Sequence, residues 1–211
     1  MIIWDINIRI FHFLLIIFII FTILTSKLNL LFLHQFFGLS LLGLIIFRIF
    51  WGIYGSHYSR FKNFFYSLND IKLFLKGQDV TKGGHDLPGS ISIFSFYFVI
   101  TVLGVSGLFS SDDILFDGPL SLLTPNLTSF WTKVHNIFHY IIYFLIFIHI
   151  LAVLTYQFFK KKKIINQMID GKSRDKKIQN YDFTNLSIYI GFVVLMICTF
   201  LPPFIIYIII V

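Results

Sequence analysis

The sequence predicts an all-α membrane protein. Three observations predict it. Of 211 residues, 57% are hydrophobic and only 13% are charged, with a mean hydropathy of +0.83, whereas soluble domains are about 45–50% apolar. The apolar excess is gathered into five blocks of roughly twenty residues or more, the length a helix needs to cross a bilayer. The Lys and Arg residues collect between those blocks, as they do where loops stay on the cytoplasmic side of a membrane.

The spans follow in order. The first covers residues 8–25, with Arg9 and His12 in its opening turn. Trp4-Asp5 and Arg9 precede or interrupt its start, and no small-residue cleavage site ends it, so it reads as a retained helix. A short loop leads to the second span, residues 31–54, with His34 near its start and Arg48 towards its end. Residues 55–89 form a polar connection in which 68–75 has helical spacing and suits the membrane surface. Gly83, Gly84, Pro88 and Gly89 mark turns there. The third span, 90–108, is interrupted by Gly104, Ser106 and Gly107. The loop 109–129 carries Asp112, Asp113 and Asp117 and no Lys or Arg. The fourth span, 132–159, holds His135, His139 and His149 and stops at Lys160–Lys163. The fifth, 185–210, contains Pro202-Pro203. Two units are expected: 1–175, and 176–211 as a polar linker with an extra C-terminal span.

The net charge of +7 is a statement about topology. Of 17 Lys and Arg, eight fall between Lys160 and Lys177 and five between Arg60 and Lys82. That excludes a nucleic-acid reading and places the N-terminus and both basic connections in the cytoplasm. The single Cys198 forbids an internal disulfide, a C-x-x-C-H attachment of c-type haem and a cysteine-held iron–sulfur cluster.

Imidazoles are costly inside a bilayer and mark functional positions. His135 and His149 are fourteen residues apart, about four turns, so one helix presents both on nearly one face some 21 Å apart along its axis. The topology puts His34 and His135 near the outer side, and His12 and His149 near the inner side. Each pair comes from two helices at matching depth, as bis-histidine ligation of a haem inside a bundle requires. Zinc, copper or di-iron sites would want three or four clustered ligands, thiolates or carboxylates among them. Arg48 lies fourteen residues after His34, on the same face and four turns inward, and a guanidinium suits a haem carboxylate. The competing expectation is that Arg48 snorkels to the interface. Arg9, one turn before His12, is placed for a similar role. Gly38, one turn after His34, admits either a macrocycle against the backbone or close helix packing. His139 is an alternative outer ligand, with a hydrogen-bonded interior role as the plainer expectation. His57 reads as interfacial, and His85, in GGHDLP, as a turn residue, the rival role being to cover the inner haem or line a quinone pocket.

These residues resemble the bacterial cytochrome b561 family, in the branch grouped with cytochrome b subunits of nickel–iron hydrogenases. The match runs through Trp4, Asp5, Arg9 and His12; Leu33-His34; Phe47, Arg48, Trp51 and Gly52; GSHYSRF; GGHDLPG, with Asp86 where Asn is usual; the acidic loop 107–120; and IINQMIDGKSR. It covers roughly residues 3–175. It implies a four-helix haem-binding bundle with two b haems, ligated at His12, His34, His135 and His149, in a bacterial inner membrane, with the fifth span outside the resemblance.

The function expected is electron transfer across the membrane between the quinone pool and a c-type cytochrome or hydrogenase subunit, rather than stand-alone catalysis. The lipid bilayer surrounds the spans, nucleic acid is no partner, and a homodimer is left open. The rival enzyme is a quinone oxidoreductase of the superoxide-oxidising type. Its anionic substrate fits poorly with the acidic outer loop. A histidine proton relay is a third reading, which the two-by-two match in depth disfavours.

Overall fold

The computed structural model describes residues 3–78, 80–82, 85–111, 116–172 and 188–210. Among these, five helices are long and apolar enough to span a membrane. They are α1 (Ile6–Lys27), α2 (Leu31–Tyr54), α4 (Leu87–Phe109), α5 (Thr128–Leu154) and α7 (Ile188–Ile210); α3 (Leu68–Leu75) and α6 (Ile164–Asp170) are short. A two-residue hairpin, β1 (Thr81–Lys82) and β2 (His85–Asp86), precedes α4. The expected division at residue 175 and the residues Gly83, Gly84, Asp112, Asp113 and Arg174 lie outside the described residues.

Local chemistry sets the helix ends. Asp5 caps α1, its carboxylate accepting from the Ile8 N–H at 3.0 Å. The α1–α2 turn places Asn29 at φ 55°, a left-handed conformation that Asn tolerates. Pro88 and Gly89, expected in a turn, belong to the first turn of α4, where a proline's missing N–H costs nothing. Asp86 caps that turn, accepting from the Gly89 N–H at 3.0 Å. The fourth span ends in a wide π-helical turn, Thr155–Phe159, rather than as one α-helix. Ser67 and Asp70 form a capping box that starts α3. Leu68 and Leu75 are strongly exposed on it, in keeping with the surface helix expected.

α1 and α2 pack as an antiparallel hairpin. Contacts climb α1 as they descend α2: Phe11 against Phe47, then Phe18 and Phe21 against Phe37. α4 and α5 form a second hairpin, and α4 also packs on α2. α7 lies along α2. There the backbone around Cys198 comes so close to Gly43 that no side chain fits between them. Asn7 donates to the Ile188 carbonyl at 3.1 Å, and Leu195 and Thr199 are fully buried. The fifth span is thus an integral part of the bundle. α2 is its most buried helix, whereas α5 packs mainly along α4.

Hydrogen bonds join the ends carrying basic connections. Ile3 and Trp4 donate to the Gly171 carbonyl, Ser56 and Ser59 donate to Asp5, and Tyr156 donates to Asp86. The N-terminus, the α2–α4 connection and the segment after α5 therefore share one side, as charge counting expects.

Candidate functional site

Four helices converge on the outer histidine pair. The rings of His34 and His135 face each other edge to face, 6.2 Å between centroids. His34 Nδ1 lies 2.9 Å from the Thr22 carbonyl of α1. His135 Nδ1 lies 2.9 Å from the Leu103 carbonyl of α4, with Ser106 Oγ at 3.2 Å. A carbonyl oxygen only accepts, so both Nδ1 atoms carry the proton and both Nε2 atoms keep a free lone pair. Metal-bound histidines show this arrangement, the second nitrogen donating to a carbonyl that fixes tautomer and ring orientation. The small residues that interrupt the third span have a purpose here. A side chain at Gly107 would press on the His135 ring, and one at Gly104 would collide with Leu42.

The inner pair is built differently. His12 and His149 lie near enough for their charges to interact. His12 Nδ1 is buried and has no hydrogen-bond partner among the described residues. His149 rests edge-on against Phe96, 5.5 Å between centroids. What the inner end adds is Arg48, 3% exposed and therefore not snorkelling. Its Nε donates to Tyr97 Oη at 2.9 Å. Its guanidinium lies 4.6 Å from the centroid of Phe61, and 5.7 Å from those of Phe64 and Tyr97. Nη1 is buried and has no partner among the described residues. A buried guanidinium N–H left unpaired is costly, and a carboxylate suits it.

Three features bear on whether a haem fits. A Cβ added at Gly38 would meet nothing within 4 Å, unlike one at Gly43, Gly52 or Gly104. Gly38 therefore borders open volume one turn from His34, and close helix packing is not its reason. Among the described residues no three His, Cys, Asp or Glu side chains gather as a metal cluster. Paired imidazoles suit a metal whose remaining ligands come from a macrocycle. Arg48 offers an unpaired cationic donor below the inner pair. On these grounds the residues fit haem.

The other candidates separate clearly. His139 Nε2 is hydrogen-bonded to Tyr143 Oη at 2.7 Å within its own helix, the plainer role expected of it. Arg9 Nη1 donates to the Ile169 carbonyl of α6 at 2.7 Å, while its buried Nε has no partner among the described residues. His57 sits in a 3-10 turn past α2. Partial burial and the neighbouring Arg60 and Lys62 lower its pKa below the ordinary imidazole value. His85 pairs through its backbone with Lys82, and its side chain lies outside what is described. Sequence reasoning missed Thr22, Leu103 and Ser106, which orient the outer imidazoles. It also missed the roles of Tyr97 and Asp5.

A family model described as prokaryotic cytochrome b561 matches residues 3–171. No curated protein and no solved structure matches the chain.

Proposed function

The chain belongs to the prokaryotic cytochrome b561 family, and from that premise we propose that it conducts electrons across the membrane through two bis-histidine b haems. Membership makes it a membrane b-type cytochrome of electron transfer; the number of haems, their ligands and the partners are our reading. His34 and His135 hold the outer haem, and His12 and His149 the inner. When bound, each haem supplies one-electron exchange at an iron whose axial positions are filled, leaving no open site for oxygen chemistry.

The chain's own residues divide the remaining work. Thr22 and Leu103 hold the outer imidazoles in the tautomer that presents Nε2. Gly38 keeps the backbone beside His34 clear. Arg48 neutralises a carboxylate at the inner end, and Arg9, whose Nε has no partner among the described residues, is placed for a second. The aromatic box around Arg48 excludes water, so its charge acts in a medium of low dielectric. Electrons pass between the quinone pool and a c-type cytochrome or hydrogenase subunit. The N-terminus lies on the cytoplasmic side of a bacterial inner membrane, a reading supported by the basic connections.

The single observation that carries this reading is the outer pair, two imidazoles from different helices with both Nδ1–H groups spoken for and both Nε2 atoms free. A reduced-minus-oxidised spectrum and a haem assay of the purified protein test it. We expect b-type bands and about two haems per chain. One haem or none per chain overturns the conduit.

A further inference from the structure

Asp5 has no part in the electron path, yet it is among the most densely hydrogen-bonded side chains in the molecule. It is 3% exposed. One carboxylate oxygen accepts from the Ile8 N–H at 3.0 Å. The other accepts from Trp51 Nε1 at 3.0 Å, from Ser59 Oγ at 2.7 Å and from Ser56 Oγ. Trp51 and Ser59 are themselves fully buried. A buried carboxylate persists only where donors satisfy it, so this contact has one geometry available and fixes the chain around it.

What it fixes is a register. Asp5 lies seven residues before His12 on α1, and Trp51 lies three residues after Arg48 on α2. From the Asp5–Trp51 bond, His12 is about 10.5 Å and Arg48 about 4.5 Å further into the membrane. Arg48 therefore sits about one helical turn on the aqueous side of the His12 level. The same segment reaches α6, which follows the helix that carries His149. Ile3 and Trp4 donate to the Gly171 carbonyl at 2.8 and 3.2 Å, and Arg9 donates to Ile169 at the end of α6. α1, α2 and the segment that follows α5 are thus tied together below the inner site.

The outer end of the α1–α2 hairpin has no such need. The α1–α2 turn, closed by the Leu30 N–H donating to the Thr25 carbonyl at 2.9 Å, fixes that end of the hairpin covalently and by hydrogen bond. At the inner end the two helices have no covalent link, and Asp5 supplies the connection.

We propose that Asp5, with Trp51 as its cross-helix donor, is the positioning group of the inner haem site. It sets the depth of His12 against Arg48 and leaves the outer site alone. The inference rests on the di-haem reading. The test uses the full chain purified in nanodiscs, with haem content and a redox titration that resolves both haems, the outer one assigned by its loss in His135→Ala. In Asp5→Ala, inner-haem content should fall by roughly tenfold, the scale of a lost outer-shell support, while the outer haem keeps its content and midpoint. Trp51→Phe keeps the ring packing and removes only the bond. It should shift the inner midpoint or reduce inner-haem content, again with the outer haem unchanged. Wild type with two haems and an inner haem insensitive to both variants overturns this inference alone. Parallel loss of both haems in both variants does so too, since that is a general folding defect. A wild type with fewer than two haems overturns the di-haem reading, and this inference with it.

Discussion

At the outer end of the bundle, both imidazoles are steered by the backbones of neighbouring helices. At the inner end neither shows such a bond among the described residues: His12 Nδ1 is buried without a partner there, and His149 leans on Phe96. The inner end is instead rich in charge and polar contacts, with Arg48 in its aromatic box and Asp5 in its ring of donors. Two histidine pairs of the same composition are thus made rigid by different means. The outer one has its imidazoles oriented directly. The inner one fixes the helices and supplies a cation.

The largest expected effect is ligand removal. His34→Ala or His135→Ala should abolish the outer haem and leave the inner one, halving the haem per chain. His139→Ala should leave both, because its Nε2 is already bonded to Tyr143. A protein in which His139→Ala loses a haem and His135→Ala keeps both would reverse the outer assignment and end the comparison in its present form.

Next comes Gly38. The volume beside it is open, so Gly38→Phe should fill it with little cost to the helix and block the outer haem selectively. Gly43→Phe is the control. Its neighbour is the Cys198 backbone, so the variant should separate α7 from α2 and lower the yield of folded protein instead. If Gly38→Phe loads both haems with unaltered spectra, the open volume is unrelated to the cofactor.

Much of this was legible in the sequence, for a physical reason. Crossing a bilayer imposes a length and a composition, so five spans could be read, and a histidine's place along its span gave its depth. The burial of Arg48 followed from its spacing to His34. The backbone acceptors were not legible. The carbonyls of Thr22 and Leu103 have no residue signature, since every residue carries a carbonyl. Nor was the place of α7, whose docking depends on the absence of a side chain at Gly43 and on close backbone approach. Pro88 misled, because the same residue serves a turn and the first turn of a helix.

At the inner end the charge of Arg48 acts on the redox equilibrium. Reduction adds negative charge to a haem, and a buried cation nearby stabilises that state. Arg48→Gln should therefore lower the inner midpoint, by on the order of 60 mV if it costs a factor of ten in the redox equilibrium. The outer midpoint should hold. Redox titration checks it, and equal shifts at both haems would mean that Arg48 acts on the bundle as a whole.

The smallest effect belongs to Ser106, and it asks how completely backbone carbonyls govern the outer site. Ser106 Oγ lies 3.2 Å from His135 Nδ1, but it donates to the Leu103 carbonyl at 3.1 Å, the same oxygen that His135 Nδ1 meets at 2.9 Å. The hydroxyl is therefore a secondary acceptor in a shared arrangement. Ser106→Ala removes it and leaves the carbonyl, which then has fewer donors and takes the imidazole N–H undivided. Haem content should not change. The outer midpoint should move by less than about 30 mV, and the inner one not at all, because a neutral hydrogen bond exchanged for a better-aimed one differs by only about 0.5 kcal/mol. Loss of the outer haem in Ser106→Ala would make the serine, and not the Leu103 carbonyl, the group that holds His135 in its ligating tautomer.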